Sequence, residues 1–352
     1  MRKPGSTLTQ MGTTLWNRCP HLWSYGVDGC RCVSSFSHGI PREADVLREI
    51  ADVIDLLDDA RVDGAAVGRF LRATGLDDVR IERVEGERGF TDFVRAMIRS
   101  DDSDGPTLGI IGRLGGIGAR PDRLGLVSDA DGAIIALACA AKLAKMVVCG
   151  DRLPGRVIVV THISPRSPII PHEPTPFMGA PVDMETMNRL EVDPAMDAIL
   201  SIDATKGNWI LNRRGFAITP TVKEGYILPV SQDLLEIARH VAGEPPAVLA
   251  ITTQDVTPYA AGFYHVNSIL QPATATSAPV VGVATTASTP IPGSATGAND
   301  PVSLEQAARF CIAVATAFTA GRCHFFDEDE FRRLVSRYGP MEHLQGLGRE
   351  EA

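Results

Sequence analysis

Residues 124–146 read LGLVSDADGAIIALACAAKLAKM, and this stretch limits what the chain can fold into more than any other. An apolar approach reaches Ser128, two carboxylates (Asp129 and Asp131) and Gly132 follow, and a run of small residues then has the length of a helix. About ten residues later, LPGRVIVVTH from Leu153 to His162 is an apolar strand with a histidine at its end. Acids at the mouth of a helix, followed by a ligand-type side chain ending the next strand, put polar groups on the loop edge of a sheet. Open α/β sheets build their sites on that edge.

The same alternation runs along most of the chain. Val46, Leu47, Ile50, Val53, Ile54 and Leu57 have the spacing of an amphipathic helix, and Asp63 is placed to cap a second one that ends before Gly75. Residues 79–84 alternate as a half-buried strand, 90–98 have helical spacing, and 107–111 are a short apolar strand followed by the glycine-rich turn GRLGGIGA. Further strands are predicted over 198–202, reaching Asp203, and over 216–220, 247–251 and 279–284. Helices are predicted over 231–241 and 301–318. The expectation is an α/β fold in three layers, a largely parallel mixed sheet of about six to eight strands across residues 78–284 with helices on both faces. One domain over 41–325 accounts for the pattern. The first forty residues lack periodicity and read as a disordered leader, and 326–352 as a charged tail that frays.

A net charge of -9 argues against nucleic-acid or anionic-membrane partners, because no basic stripe is available to bind phosphates. No apolar run approaches the roughly 18 residues that cross a bilayer. Seven cysteines, an odd number, do not form a disulfide framework, which favours a reducing cytoplasm. The partner expected is therefore a small molecule or short peptide, with homo-oligomerisation left open.

Asp129, His162 and Asp203 each follow an apolar strand, so each can point into one cleft, and Asp131 lies beside the first. Such N and O donors suit a divalent metal, zinc or manganese, with an open position for water. Glu173, in a proline-rich loop, is the candidate general base. Arg113 suits a substrate carboxylate by bidentate pairing, and Asp255 and His265 are candidates for lining the pocket. Each has a structural alternative. Asp129 can cap its helix, His162 can be a satisfied core histidine, Arg113 can pair with a structural carboxylate, and Asp255 and His265 can brace their loop.

The step Asp129-Ala-Asp-Gly-Ala133, its helix and the strand after it resemble the Asp-Asp-Lys-Gly-Gly step of the zinc aminopeptidase and amidohydrolase clan. Ile202-Asp-Ala-Thr205 resembles that clan's strand ending in a metal-binding aspartate, and the helix after Asn299-Asp300 also has its counterpart there. The likeness spans about Asp45 to Phe318 and implies a zinc-exopeptidase-like fold and a metal-dependent hydrolase of small amide or peptide substrates. Only Asp129 and Asp203 carry over. Arg113 stands where the clan's first histidine is expected, THIS over 161–164 replaces its paired glutamates, and residues 285–299 hold no histidine. The alternative is a non-catalytic or non-metal relative that keeps the fold and binds a small molecule. As a whole, the chain also resembles an uncharacterised bacterial family, domain of unknown function 1177.

Overall fold

In the computed structural model, residues 45–86, 89–100, 103–113, 115–171, 177–206, 211–251, 268–291 and 297–345 are described. The chain opens with α1 (Leu47–Asp58) and α2 (Gly64–Ala73), then β1 (Val79–Gly86), β2 (Gly89–Arg99) and β3 (Thr107–Gly112). A short 3-10 turn at Ser128–Ala130 leads into α3 (Asp131–Val148), followed by β4 (Arg156–Ile163), β5 (Ile169–Ile170), β6 (Phe177–Met178) and α4 (Met184–Glu191). Then come β7 (Ala198–Ala204), β8 (Gly215–Ile218), β9 (Thr221–Lys223), β10 (Tyr226–Leu228) and α5 (Gln232–Ala242). A 3-10 segment at Ser268–Thr274, β11 (Val280–Thr286), α6 (Pro301–Thr319) and α7 (Glu328–Tyr338) complete the order.

Among the described residues the main sheet has nine strands in the order β1-β2-β4-β3-β7-β11-β9-β10, with β8 paired to β11. Its centre, β4-β3-β7-β11, is parallel, and the antiparallel strands lie outside it. Each central strand sends alternate side chains to two different cores. Leu108, Ile110, Val157, Val159, Leu200, Ile202, Val281 and Val283 join the core shared with α1, α3, α5 and α6. Ile111, Ile158, Val160, Ile199, Val280 and Ala284 join a second core closed by Ile269 and Leu270. Period-two alternation serves both faces, giving the three layers expected from the sequence.

Helix α3 is buried along most of its length because its residues are small and apolar, and a helix apolar all round must be enclosed. It packs against β3, β4 and β7 on one side and against α1 and α6 on the other. Its first turn sits directly on the strand ends. A Cβ at Gly132 would lie 2.5 Å from the Arg113 carbonyl oxygen and 2.8 Å from that of Ile202, so only glycine permits the approach.

Three expectations are corrected. Residues 90–98 lie in strand β2, paired antiparallel to both β1 and β4. The strand is covered on both faces, so Phe93, Val94 and Ile98 are all buried, and a two-sided strand imitates helical spacing. Residues 247–251 contribute only an isolated bridge from Val248 to Ile218, since Pro245 and Pro246 lead in without backbone N–H donors. The charged tail after Asp327 opens with helix α7. Asp327 caps it by accepting from the Glu330 N–H, and Phe331 anchors it edge-on to Tyr226, with ring centroids 5.9 Å apart. No helix among the described residues is long and apolar enough to cross a membrane.

Candidate functional site

The C-terminal ends of β3, β4, β7 and β11 carry two buried polar clusters. The first grows from the 3-10 turn and the start of α3. Asp129, Asp131, Asp203 and Lys206 are 6%, 0%, 2% and 4% exposed, so charges of both signs are enclosed together. Asp131 is the most heavily committed. One of its oxygens (Oδ2) accepts from the Thr285 hydroxyl at 2.7 Å and pairs with the Lys206 ammonium, and the other (Oδ1) accepts from the Asn299 amide at 2.7 Å. Lys206 Nζ also donates to the Ala298 carbonyl at 2.8 Å. Asp203, at the end of β7, accepts from the Ala204 N–H at 2.7 Å.

Asp129 is the electrostatically unusual member. Burial raises its pKa first, and the charges of Asp203 and Asp131 raise it further. Lys206 and the Met178 N–H pull the other way, leaving the carboxyl at about 7. Near neutral pH it therefore exchanges its proton readily. It does not stand at a helix N-cap, since those positions are Val127 for the turn and Ala130 for α3. The acids still sit where the helix dipole favours negative charge.

The second cluster gathers where Arg113 and His162, at the ends of β3 and β4, meet α4. Arg113 is fully buried. Its guanidinium pairs with Glu191 of α4 and donates to the Gln271 side chain and, at 3.3 Å, to the Met184 sulfur. Glu191 also takes His162 Nδ1 at 2.6 Å, while His162 Nε2 faces the Gly115 N–H at 3.1 Å. The ring therefore carries its proton on Nδ1 and accepts at Nε2. Burial alone would raise the Glu191 pKa, but Arg113 and His162 together hold it below the usual carboxylate value. His162 is also stacked at a tilt on its cross-strand partner Phe93, with centroids 5.2 Å apart.

The residues expected from the sequence are thus divided. Asp129, Asp131 and Asp203 come together. His162 and Arg113 share the other cluster, where both imidazole nitrogens are engaged and the guanidinium is neutralised by Glu191, so Arg113 takes the structural pairing that its sequence left open. Glu173, Asp255 and His265 lie outside the described residues. The donor set does not fit the zinc or manganese centre expected. Asp131 has spent its oxygens on three donors, one of them an ammonium, and His162 has no uncommitted ring nitrogen. Among the described residues no group of three or more His, Cys, Asp or Glu is arranged to hold a metal ion.

Several participants escaped the sequence reading. Lys206 follows Asp203 by three residues at a strand exit, a cation that could have been matched to the acids. Met184, Met187, Asn188 and Glu191 lie on one helical face, and a carboxylate ending an otherwise buried face calls for an internal cation. Thr285 and Asn299 bracket the segment after β11, whose position after a strand favours a site loop but singles out neither residue.

A solved structure titled "Bottromycin maturation enzyme BotP in complex with Mn" aligns with 16% identity and a TM-score of 0.48, over 77% of this chain and 71% of that one. No curated protein matches the chain. A family model described as "Protein of unknown function (DUF1177)" matches residues 82–348, and the chain belongs to that family.

Proposed function

We propose that this member of the family hydrolyses the C–N bond of a small amide or short peptide, with Asp129 and Asp203 as its acid–base pair. The observation that carries the reading is the gathering of Asp129, Asp203 and the Asp131–Lys206 pair at the C-terminal edge of the parallel strands, the edge where open α/β sheets bind ligands. Hydrolysis needs a base to take a proton from attacking water and an acid to deliver one to the departing nitrogen. Two carboxylates in unlike surroundings divide those roles, and a carboxyl that titrates near 7 is suited to exchange its proton at working pH. Water adds to the carbonyl carbon and gives its proton to the carboxylate. The C–N bond then breaks as the partner carboxyl protonates nitrogen. The ammonium of Lys206 lowers the cost of negative charge in this enclosure.

A second reading, binding of a small molecule without turnover, is favoured by one observation: Asp131 is saturated by Lys206, Thr285 and Asn299. Such an arrangement serves a rigid binding wall as well as a reaction centre. A screen of L- and D-dipeptides and N-acyl amino acids separates the two, run with EDTA and again with added zinc or manganese chloride. Turnover that is lost in Asp129→Asn and in Asp203→Asn supports the hydrolase. A ligand that raises Tm without being consumed supports the binder. Turnover that appears only with metal refutes an acid–base pair acting alone.

A further inference from the structure

We propose that Lys206 is the resident cation of the aspartate cluster, filling with its ammonium the place that a divalent metal would otherwise take. The inference concerns how the cluster is neutralised and holds whether or not the cluster turns over a substrate.

Three aspartates converge here, and carboxylates this close repel unless a positive charge is held among them. Lys206 supplies it from the end of β7. It is nearly fully buried, its Nζ pairs with Asp131, and its charge also acts on Asp129. A metal ion binds through ligand lone pairs, and both oxygens of Asp131 are already engaged by Lys206, Thr285 and Asn299. For a divalent ion to enter, the ammonium must leave and find another partner in a dry surrounding, which opposes binding strongly.

The lysine is also anchored at both of its ends. Its backbone carbonyl accepts from the Ile291 N–H at 2.8 Å, and its Nζ donates to the Ala298 carbonyl at 2.8 Å. Asn299, next to Ala298, donates both to Asp131 and to the Val127 carbonyl at 3.1 Å. The cation, the acid and the chain returning toward α6 are therefore one hydrogen-bonded unit. A diffusible metal would have no such tether, and an ammonium is a compact charge with three donors that this unit can use.

The test is metal uptake by the full chain after EDTA treatment and desalting, then titration with manganese chloride, read by elemental analysis and by Tm. Wild type should retain no stoichiometric manganese, and its Tm should not move. Lys206→Met leaves the aspartates without their cation, so it should bind manganese stoichiometrically. Its Tm should rise by roughly 5–10 °C at metal concentrations about a hundredfold above Kd. Lys206→Arg keeps the charge and should behave as wild type. Stoichiometric uptake by wild type would overturn the inference, and so would a folded Lys206→Met indifferent to manganese. If Lys206→Met does not fold, the wild-type titration decides alone: uptake overturns the inference and its absence supports it.

Discussion

Replacing Asp129 with asparagine should make the protein more stable at neutral and alkaline pH, the reverse of the usual outcome for a buried polar residue. The folded chain raises the Asp129 pKa from 3.8 to about 7, so it binds that proton more tightly than the unfolded chain does. The resulting stabilisation is present in full below about pH 4, declines as pH rises toward 7, and is gone above it. About three pKa units at 1.36 kcal/mol each correspond to about 4 kcal/mol lost by wild type across that window. Asparagine cannot ionise, and its side-chain oxygen can still accept from the Met178 N–H. The two proteins should therefore have similar stability near pH 4 and diverge above it, with Asp129→Asn ahead by up to about 4 kcal/mol near pH 8. Urea denaturation followed by far-UV circular dichroism at several pH values measures this directly, with the slope m serving to confirm a common unfolding transition. Parallel stability curves for the two proteins, or a variant that is weaker at alkaline pH, would refute the reasoning.

The buried Arg113–Glu191 pair gives the opposite sign. Arg113→Leu strands the Glu191 charge and should cost about 3–5 kcal/mol in urea titration, and the double variant Arg113→Leu, Glu191→Leu should recover much of the loss. At Gly115 a Cβ would fall 1.4 Å from the His162 carbonyl oxygen, so Gly115→Ala should lower stability by about 3 kcal/mol or more. A chain starting at Pro41 should keep its Tm, because the first forty residues lack the apolar periodicity of a packed element; a drop of many degrees would show otherwise.

Much of the architecture was legible because the local signals were chemically strong. Asp63 and Ser231 cap α2 and α5 as their positions suggest, each accepting from the N–H three residues on. β3, β4, β7 and β11 were visible as apolar runs, since parallel strands are buried on both faces. The same property hid β2, whose apolar residues fall at helical intervals once both of its faces are covered. The site was legible in half. Asp129, Asp131 and Asp203 stand at element ends, which pattern reveals. What they are paired with is a matter of distant sequence: Asp131 meets Lys206, Thr285 and Asn299, and Arg113 meets Glu191 and Gln271. Long-range partners of this kind leave no periodic trace, and a buried ion pair reads in sequence as two unrelated charges.

The two-core alternation of the central strands has a consequence for how the chain finds its native pairing. Arg113, His162 and Asp203 share the parity of Ile111, Val160 and Ile199, so all three belong to the same side of the sheet. A slip of one residue in β3 or β4 would turn Arg113 or His162 toward the all-apolar layer under α3, away from Glu191 and Gln271. Apolar residues alone would tolerate that slip, because both faces of these strands are hydrophobic and a shifted strand still buries its side chains. A stranded guanidinium or imidazole would not be tolerated. The polar residues at the strand ends thus act as an internal check on registration, rejecting misaligned sheets that the hydrophobic layers by themselves could not tell from the native one.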